Sequence, residues 1–284
     1  MFNAGLVLEG GGMRGLFTAG VLDFFLEKQV EFEEIIAVSA GACHACCFIS
    51  KQHGRAKAVS LDYLNNKHYC GLYSLFTTGD LFGAKFVYDD IPNKLNLFDN
   101  DTFENSQSKL FATVTNVQTG QAEYLLLKNL RQGNDINAVR ASASLPIVSN
   151  IVQYNTKFYL DGGMADSIPI KKAQADGYLK NVIVLTQPKS YLKLPNKAVP
   201  IIKHKYKQYP NLINAIANRH INYNDTCLYI NSQEESKKVF VIRPKENLSV
   251  RRIEKDREKL ESTYNLGYEA AKEKYEDMIK FLSE

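Results

Sequence analysis

No stretch of the 284 residues is apolar for the length that a membrane-spanning helix needs. The first residues, Met1-Phe2-Asn3-Ala4-Gly5-Leu6-Val7-Leu8, carry no basic segment ahead of their short apolar run and read as the opening strand of a cytoplasmic protein. A surplus of one charge is also missing. With 35 basic and 31 acidic residues the net charge is +4, too little to argue for a nucleic-acid partner. There is no internal repeat, low-complexity tract or linker, so one domain over residues 1–284 is expected, with a hydrophobic content of 45% sufficient for a substantial core. The five cysteines are an odd set, and free thiols fit a reducing compartment. Cys43, Cys46 and Cys47 stand close together with His44 among them, but no second Cys/His pair follows at zinc spacing. Their spacing puts them on one face of a helix, packed against the sheet as small apolar groups, and no metal is expected.

What the chain does hold is a turn, Ile35-Ile36-Ala37-Val38-Ser39-Ala40-Gly41-Ala42, where a β-branched run stops at a serine and a helical pattern begins. This is the layout of a nucleophile elbow, in which a strained serine stands at the apex of a strand-to-helix turn and only small neighbours fit. Ala37 occupies a position where glycine is usual. The helix that follows brings backbone N–H groups and its positive dipole end beside the hydroxyl.

Upstream, Leu6-Val7-Leu8 runs into Glu9-Gly10-Gly11-Gly12-Met13-Arg14-Gly15 and then a helical apolar stripe from Leu16 to Leu26. With Ile35 to Val38 as the next strand, this predicts a parallel βαβ unit. Gly10, Gly12 and Gly15 fit a dinucleotide-binding pattern, but that reading needs an acid at the end of the second strand, where Ser39-Ala40-Gly41 stands. A glycine-rich cradle beside an elbow instead meets the demand of an oxyanion hole, with donors from Gly10, Gly11, Gly12 and Ala40. Arg14, supported by Gly15, either steadies the loop, meets an anionic head group or is an exposed helix-start residue.

The rest of the chain predicts a helix from Gly41 to about Ser50 and another through Ala56 to Leu64. An aromatic, glycine-containing stretch from Tyr69 to Ile91 either covers a hydrophobic substrate or packs on the core. Leu110–Thr115 and Ala122–Leu127 form a hairpin about Gln118-Thr119-Gly120, which makes the sheet mixed. A helix over Asp135–Ala143 and a strand pair, Ile151–Tyr154 and Lys157–Leu160, precede Asp161-Gly162-Gly163. Val182–Leu185 and Val239–Ile242 are buried strands, and the final stretch is helical from about Ser249. The lysines between Lys189 and Tyr209 make either a solvated loop, the favoured reading, or a basic apolar surface for anionic lipid.

A serine needs a proton acceptor, usually histidine. His44 lies on the helix leading away from Ser39, while His53, His68, His204 and His220 are not set at strand ends beside an acid. Asp161 is better placed, at the end of a strand and before a tight turn, although an Asp before two glycines is commonly only a turn residue.

Four motifs in order, Gly10-Gly11-Gly12-Met13-Arg14-Gly15, Ala37-Val38-Ser39-Ala40-Gly41, Ala141-Ser142-Ala143-Ser144-Leu145-Pro146 and Asp161-Gly162-Gly163, resemble the patatin-like phospholipase family. The resemblance spans about residues 1–190, and the part from 191 to 284 resembles a bacterial subgroup of patatin-like acyl hydrolases. It implies a three-layer α/β/α sandwich with a mixed, mainly parallel sheet, and a Ser-Asp dyad in which Ser39 is the nucleophile and Asp161 the base. It also implies a lipid or phospholipid ester as substrate, no cofactor and peripheral membrane contact at most. A non-catalytic lipid-binding protein on the same fold and a dinucleotide-dependent oxidoreductase are the alternatives, the first kept open by Ala37.

Overall fold

The computed structural model describes residues 1–131 and 135–284. Strands β1 (Phe2–Leu8) and β2 (Phe32–Val38) are joined by a 3-10 turn over Gly12–Gly15 and helix α1 (Leu16–Glu27), as the βαβ pattern predicts. Helices α2 (Ala40–Ile49), α3 (Arg55–Leu61) and α4 (Leu72–Thr78), a π-helical stretch over Phe86–Leu95 and the short α5 (Asn100–Glu104) follow. The hairpin of β3 (Lys109–Asn116) and β4 (Ala122–Leu127) comes next, then α6 (Ile136–Ser142) and the pair β5 (Val152–Tyr154) and β6 (Lys157–Asp161). The chain continues through α7 (Ile170–Ala175), β7 (Asn181–Val184), α8 (Val199–Lys205), α9 (Pro210–Glu235), β8 (Val239–Ile242), α10 (Arg257–Glu273) and α11 (Tyr275–Ser283).

The strands form one mixed sheet in which β4, β3, β2, β1, β7 and β8 lie side by side and β6, with β5 beside it, pairs with the end of β3 beyond β2; β8, β7, β1, β2 and β3 run parallel. Alternation along the strands sends successive side chains to opposite faces. Leu6, Leu8, Ile35 and Val182 therefore face the core shared with α1 and α2, while Val7, Ile36, Ile183 and Val241 pack against Ile170 and Ala173 of α7 and Tyr223 and Ile230 of α9. The result is a three-layer α/β/α sandwich.

Three stretches depart from the sequence pattern. Periodicity gives no element between Tyr209 and Val239, yet the 26-residue α9 fills it. Its buried positions, Leu212, Ile216, Tyr223 and Ile230, are sparse, and the asparagines between them are weak helix formers, so tertiary packing overrides local preference. The final helical stretch begins with α10 at Arg257 and not near Ser249, because Asp256 caps it by accepting from Lys259 N at 3.2 Å; residues 250–256 form a connecting segment. The stretch from Lys189 to Tyr209 is not a solvated loop throughout. It contains α8, and Lys193, Ile202 and Tyr206 are buried.

Helix α10 lies across α1 at a backbone-to-backbone approach. A Cβ on Gly20 would stand 2.0 Å from Tyr264 O, and one on Gly267 would stand 1.9 Å from Phe17 O. Around this contact Phe24 meets Tyr268 edge to face at 5.3 Å, and Tyr264 donates to Asp23 Oδ2 at 2.7 Å. Gly267→Ala must push the helices apart, and a loss of roughly 1–3 kcal/mol is expected from overpacking. A lower urea midpoint with an unchanged slope in equilibrium unfolding will register it.

Candidate active site

Strand β3 has two edges, and β4 occupies one of them from Leu110 to Thr115. The other edge is shared end to end: β2 pairs with it from Lys109 to Thr113, and β6 takes over from Val114 to Asn116. Ser39, one residue beyond the Val38–Thr113 pair, and Asp161, opposite Val114, are thereby brought to the same point. The approach is tight enough that a Cβ on Gly162 would lie 2.1 Å from Thr113 O. Only glycine fits after the aspartate, which accounts for the sequence pattern there.

Ser39 adopts φ 56° and ψ −124°, a conformation worth roughly 1–3 kcal/mol of strain for a residue with a side chain. The turn is formed with Ala37 in place, its methyl buried in the core. Gly10 leaves the space that the serine needs, since a Cβ there would be 2.9 Å from Ser39 Cβ. The elbow is fastened by a residue whose motif suggested no role for it. Ser39 N donates to Ser142 Oγ at 2.8 Å, and Ser142 Oγ donates to Thr113 O at 2.7 Å. The same segment holds the aspartate, because Asp161 N donates to Ser144 O at 2.8 Å.

Asp161 is buried; its Oδ1 accepts from Gly163 N at 2.8 Å, and its backbone oxygen accepts from Thr115 Oγ1 at 2.8 Å. Burial pushes its carboxyl above the ordinary value of 3.8, while Arg219, the Ser39 hydroxyl, Gly163 N and Arg252 pull it back. The Ser39 hydroxyl is thus one of the groups that favour the charged carboxylate. Among the described residues, the amides of Gly10, Gly11, Gly12 and Ala40 donate to no protein acceptor; the next amide in the turn, Met13 N, donates to Arg252 O at 3.0 Å. Gly15 serves packing, against Ala40 and His44. Arg14 is half-buried and not an exposed helix start, with a buried Nε that has no partner.

Ser39 opens onto an apolar cavity of about 170 Å³, whose lining includes Met13, Leu16, Tyr69, Tyr88, Ile91 and Val139. The aromatic stretch from Tyr69 to Ile91 packs on the core, and several of its residues also wall the cavity. Cys43, Cys46 and Cys47 face this cavity as well as the core. Burial pushes the Cys43 thiol up to about 12, so it is not a nucleophile near neutral pH. His44 lies, as expected, on the helix that leaves the serine, and it also lines the same cavity; burial holds it neutral with a pKa of about 4. Chemically, a strained hydroxyl, a buried carboxylate, free amides and an apolar cavity suit acyl transfer.

A model of the patatin-like phospholipase family matches residues 6–173, and one described as a domain of unknown function, DUF6363, matches residues 209–283. The chain is 28% identical over 244 residues to the uncharacterized protein YjjU of Escherichia coli, covering 84% of this chain and 68% of that protein. It is 24% identical over 178 residues to the probable lipid hydrolase 463L of Invertebrate iridescent virus 6, covering 58% and 61%. With the uncharacterized NTE family protein Rv2565 of Mycobacterium tuberculosis it shares 27% over 173 residues, 61% of this chain but 28% of the relative. Among solved structures, VipD from Legionella pneumophila superposes with a TM-score of 0.51 at 13% identity, over 100% of this chain and 67% of that one, a likeness of fold alone.

Ser142 touches both the elbow and β3, so its removal has two readouts. Ser142→Ala leaves Ser39 N–H and Thr113 O unpaired in a buried place, for a stability loss of roughly 1–3 kcal/mol in chemical denaturation. Because the serine loses its anchor, kcat should fall by about ten- to a hundredfold with KM little changed.

Proposed function

The chain belongs to the patatin-like phospholipase family, and from that premise we propose that it cleaves acyl esters of lipids through a Ser39–Asp161 dyad and an acyl-enzyme. The observation that carries this reading is the strained Ser39 standing beside a buried carboxylate at the mouth of an apolar cavity. The acyl chain occupies the cavity, which puts the ester carbonyl at Ser39. Asp161 accepts the hydroxyl proton as Oγ attacks the carbonyl carbon, and the resting contact between the two groups tightens at that moment. Charge gathers on the carbonyl oxygen, where the amides of Gly10, Gly11, Gly12 and Ala40 receive it. Collapse of the tetrahedral intermediate expels the alcohol, which takes the proton from Asp161. Water then attacks the acyl-enzyme with Asp161 again as base, and the fatty acid leaves.

Burial serves this chemistry. A carboxylate held at its ordinary value is a weak base at neutral pH, and desolvation strengthens it. The chain from 191 to 284 belongs to the same domain in this reading, since α10 is locked onto α1 and Arg252 holds the glycine turn. No helix of the described residues is long and apolar enough to cross a membrane. The exposed Leu192, Leu194 and Ile201, with the exposed Lys197 between them, are where contact with a lipid surface would be made.

Ser39→Ala should abolish ester hydrolysis while the circular dichroism spectrum and unfolding midpoint stay close to those of the parent, and a fluorophosphonate probe should label only the parent. Activity surviving in a clean preparation of the variant would overturn the acyl-enzyme.

A second expectation concerns pH. Asp161 works ionised, so kcat/KM should fall as pH drops through its raised pKa, with the acidic limb above the ordinary carboxylate range of about 4. Asp161→Asn should be inactive at every pH, whereas His44→Gln should keep kcat/KM within about tenfold. Loss of the limb in His44→Gln would assign the base to the histidine.

A further inference from the structure

The segment that fastens Ser39 and Asp161 is itself strained. Between α6 and β5, Ile147 adopts φ 74°, in the left-handed region that a β-branched residue avoids. Such a conformation persists only where the surroundings hold it from several sides. One hold comes from α8 and the residue after it: Ile147 N donates to Tyr206 Oη at 3.0 Å, and Lys205 Nζ donates to Ile147 O at 3.1 Å. The other comes from Asp80, in the aromatic stretch that walls the cavity. Asp80 is 3% exposed, and its carboxylate takes donors from both sides of Ile147. On the N-terminal side Arg140 Nη2 donates to Oδ2 at 3.0 Å; on the C-terminal side Asn150 N donates to Oδ1 at 2.8 Å and Asn150 Nδ2 to Oδ2 at 3.2 Å.

The turn that carries Asp80 is shaped for this grip. Gly79 has φ 78°, and a Cβ there would stand 2.7 Å from Asn150 Oδ1, so Asn150 packs against bare backbone and donates also to Thr78 O at 2.8 Å. Leu81 N adds a bond to Val148 O at 2.8 Å, and Ser74 Oγ of α4 donates to Asp80 O at 2.8 Å. Between the two gripped residues stand the anchors of the site: Ser142, which joins Ser39 N to Thr113 O, and Ser144, whose carbonyl accepts from Asp161 N. Ser144 is tied to the gripped arginine as well, since its Oγ donates to Arg140 O at 2.8 Å. Only a carboxylate serves at position 80. An amide would set its NH₂ against a donor in either orientation. It would also leave Arg140, whose one ion pair among the described residues is with Asp80, as a half-buried charge without a partner.

We propose that Asp80 is a positioning residue for acyl transfer: by gripping Arg140 and Asn150 together, it holds the strained segment in the conformation that fixes the backbones of Ser39 and Asp161. This rests on the hydrolase reading above and adds to it a residue from outside the four sequence motifs. Asp80 is not among the described residues that line the cavity, so its loss is felt by the reacting groups and not by the bound acyl chain.

The test measures kcat and KM on a short-chain and a long-chain p-nitrophenyl ester, and the rate at which a fluorophosphonate labels Ser39, in the parent, Asp80→Asn, Arg140→Gln and the double variant. Amide hydrogen exchange read by mass spectrometry is run on the same proteins. In Asp80→Asn, kcat is expected to fall about tenfold or more on both esters, with KM within about twofold of the parent and labelling slowed by a similar factor. The double variant should lose no more than about twofold beyond Asp80→Asn, because the two residues act as one contact. Exchange should quicken in peptides covering Ser39, residues 140–150 and Asp161, and stay as in the parent in β7. A lower unfolding midpoint with parental kcat on both esters would leave Asp80 a structural role alone and overturn the proposal. So would a loss confined to KM of the long ester, which would place the effect in the cavity. Should Asp80→Asn fail to fold, Asn150→Ala, which changes an exposed side chain and removes part of the grip, decides the matter: a fall in kcat at constant KM supports the proposal, and parental kcat refutes it. If the parent neither cleaves the esters nor takes the probe, while Asp80→Asn still quickens exchange over 140–150, the hydrolase reading fails and the hold of Asp80 on the segment stands.

Discussion

The site depends on a limit of backbone pairing. An edge of a β-strand offers each hydrogen-bonding position once, so β2 and β6 can share the free edge of β3 only by one stopping where the other starts. That junction, at Thr113 and Val114, is why two residues far apart in the chain become neighbours. The details around it are consequences: glycine at 162 because the Thr113 carbonyl occupies the space of a side chain, and Ser142 bridging Ser39 N and Thr113 O because both groups would otherwise be buried unpaired. The strain at Ser39 is sustained because its amide, the following helix and the packing of Gly10 all hold the same conformation.

The electrostatics have a similar economy. Glu9 and Asp161 follow or end parallel and antiparallel strands of one sheet, and both are buried, but they are treated differently. Glu9 has three donors on its two oxygens, whereas Asp161 has one carboxylate oxygen bound to Gly163 N and is left exposed to the serine. The fully satisfied carboxylate organises its surroundings and the less satisfied one is free to take a proton.

How much of this was legible follows from how local each signal is. The elbow, the glycine turn and Asp161-Gly162-Gly163 carry their constraints in adjacent residues, because tight turns and close backbone approaches restrict composition directly. The strands could be read from β-branched runs, whereas the three layers were implied by the family resemblance and not by the runs themselves. Helix α9 could not, since its asparagine-rich sequence favours turns and only distant contacts with the sheet make it helical. Nor could the grip of Asp80 on Arg140 and Asn150, because a carboxylate in a turn looks like any other surface charge until the fold brings its partners to it. Ser142 lay inside a recognised motif, but its partners, Ser39 and Thr113, are set by the junction on β3 and not by spacing. His44 stands where the sequence puts it, on the helix leaving the elbow, but that the cavity runs along this helix is set by tertiary packing.

The bond from Met13 N to Arg252 O ties the beginning of the chain to its last quarter. Synthesis on the ribosome proceeds from the first residue to the last, so the elbow and its carboxylate emerge well before the residue that fixes the glycine turn. A nascent chain therefore carries the strained serine before the glycine turn beside it is fixed. If the two act together as proposed, activity would arrive late in the life of the polypeptide, after most of the fold that must contain it has been made.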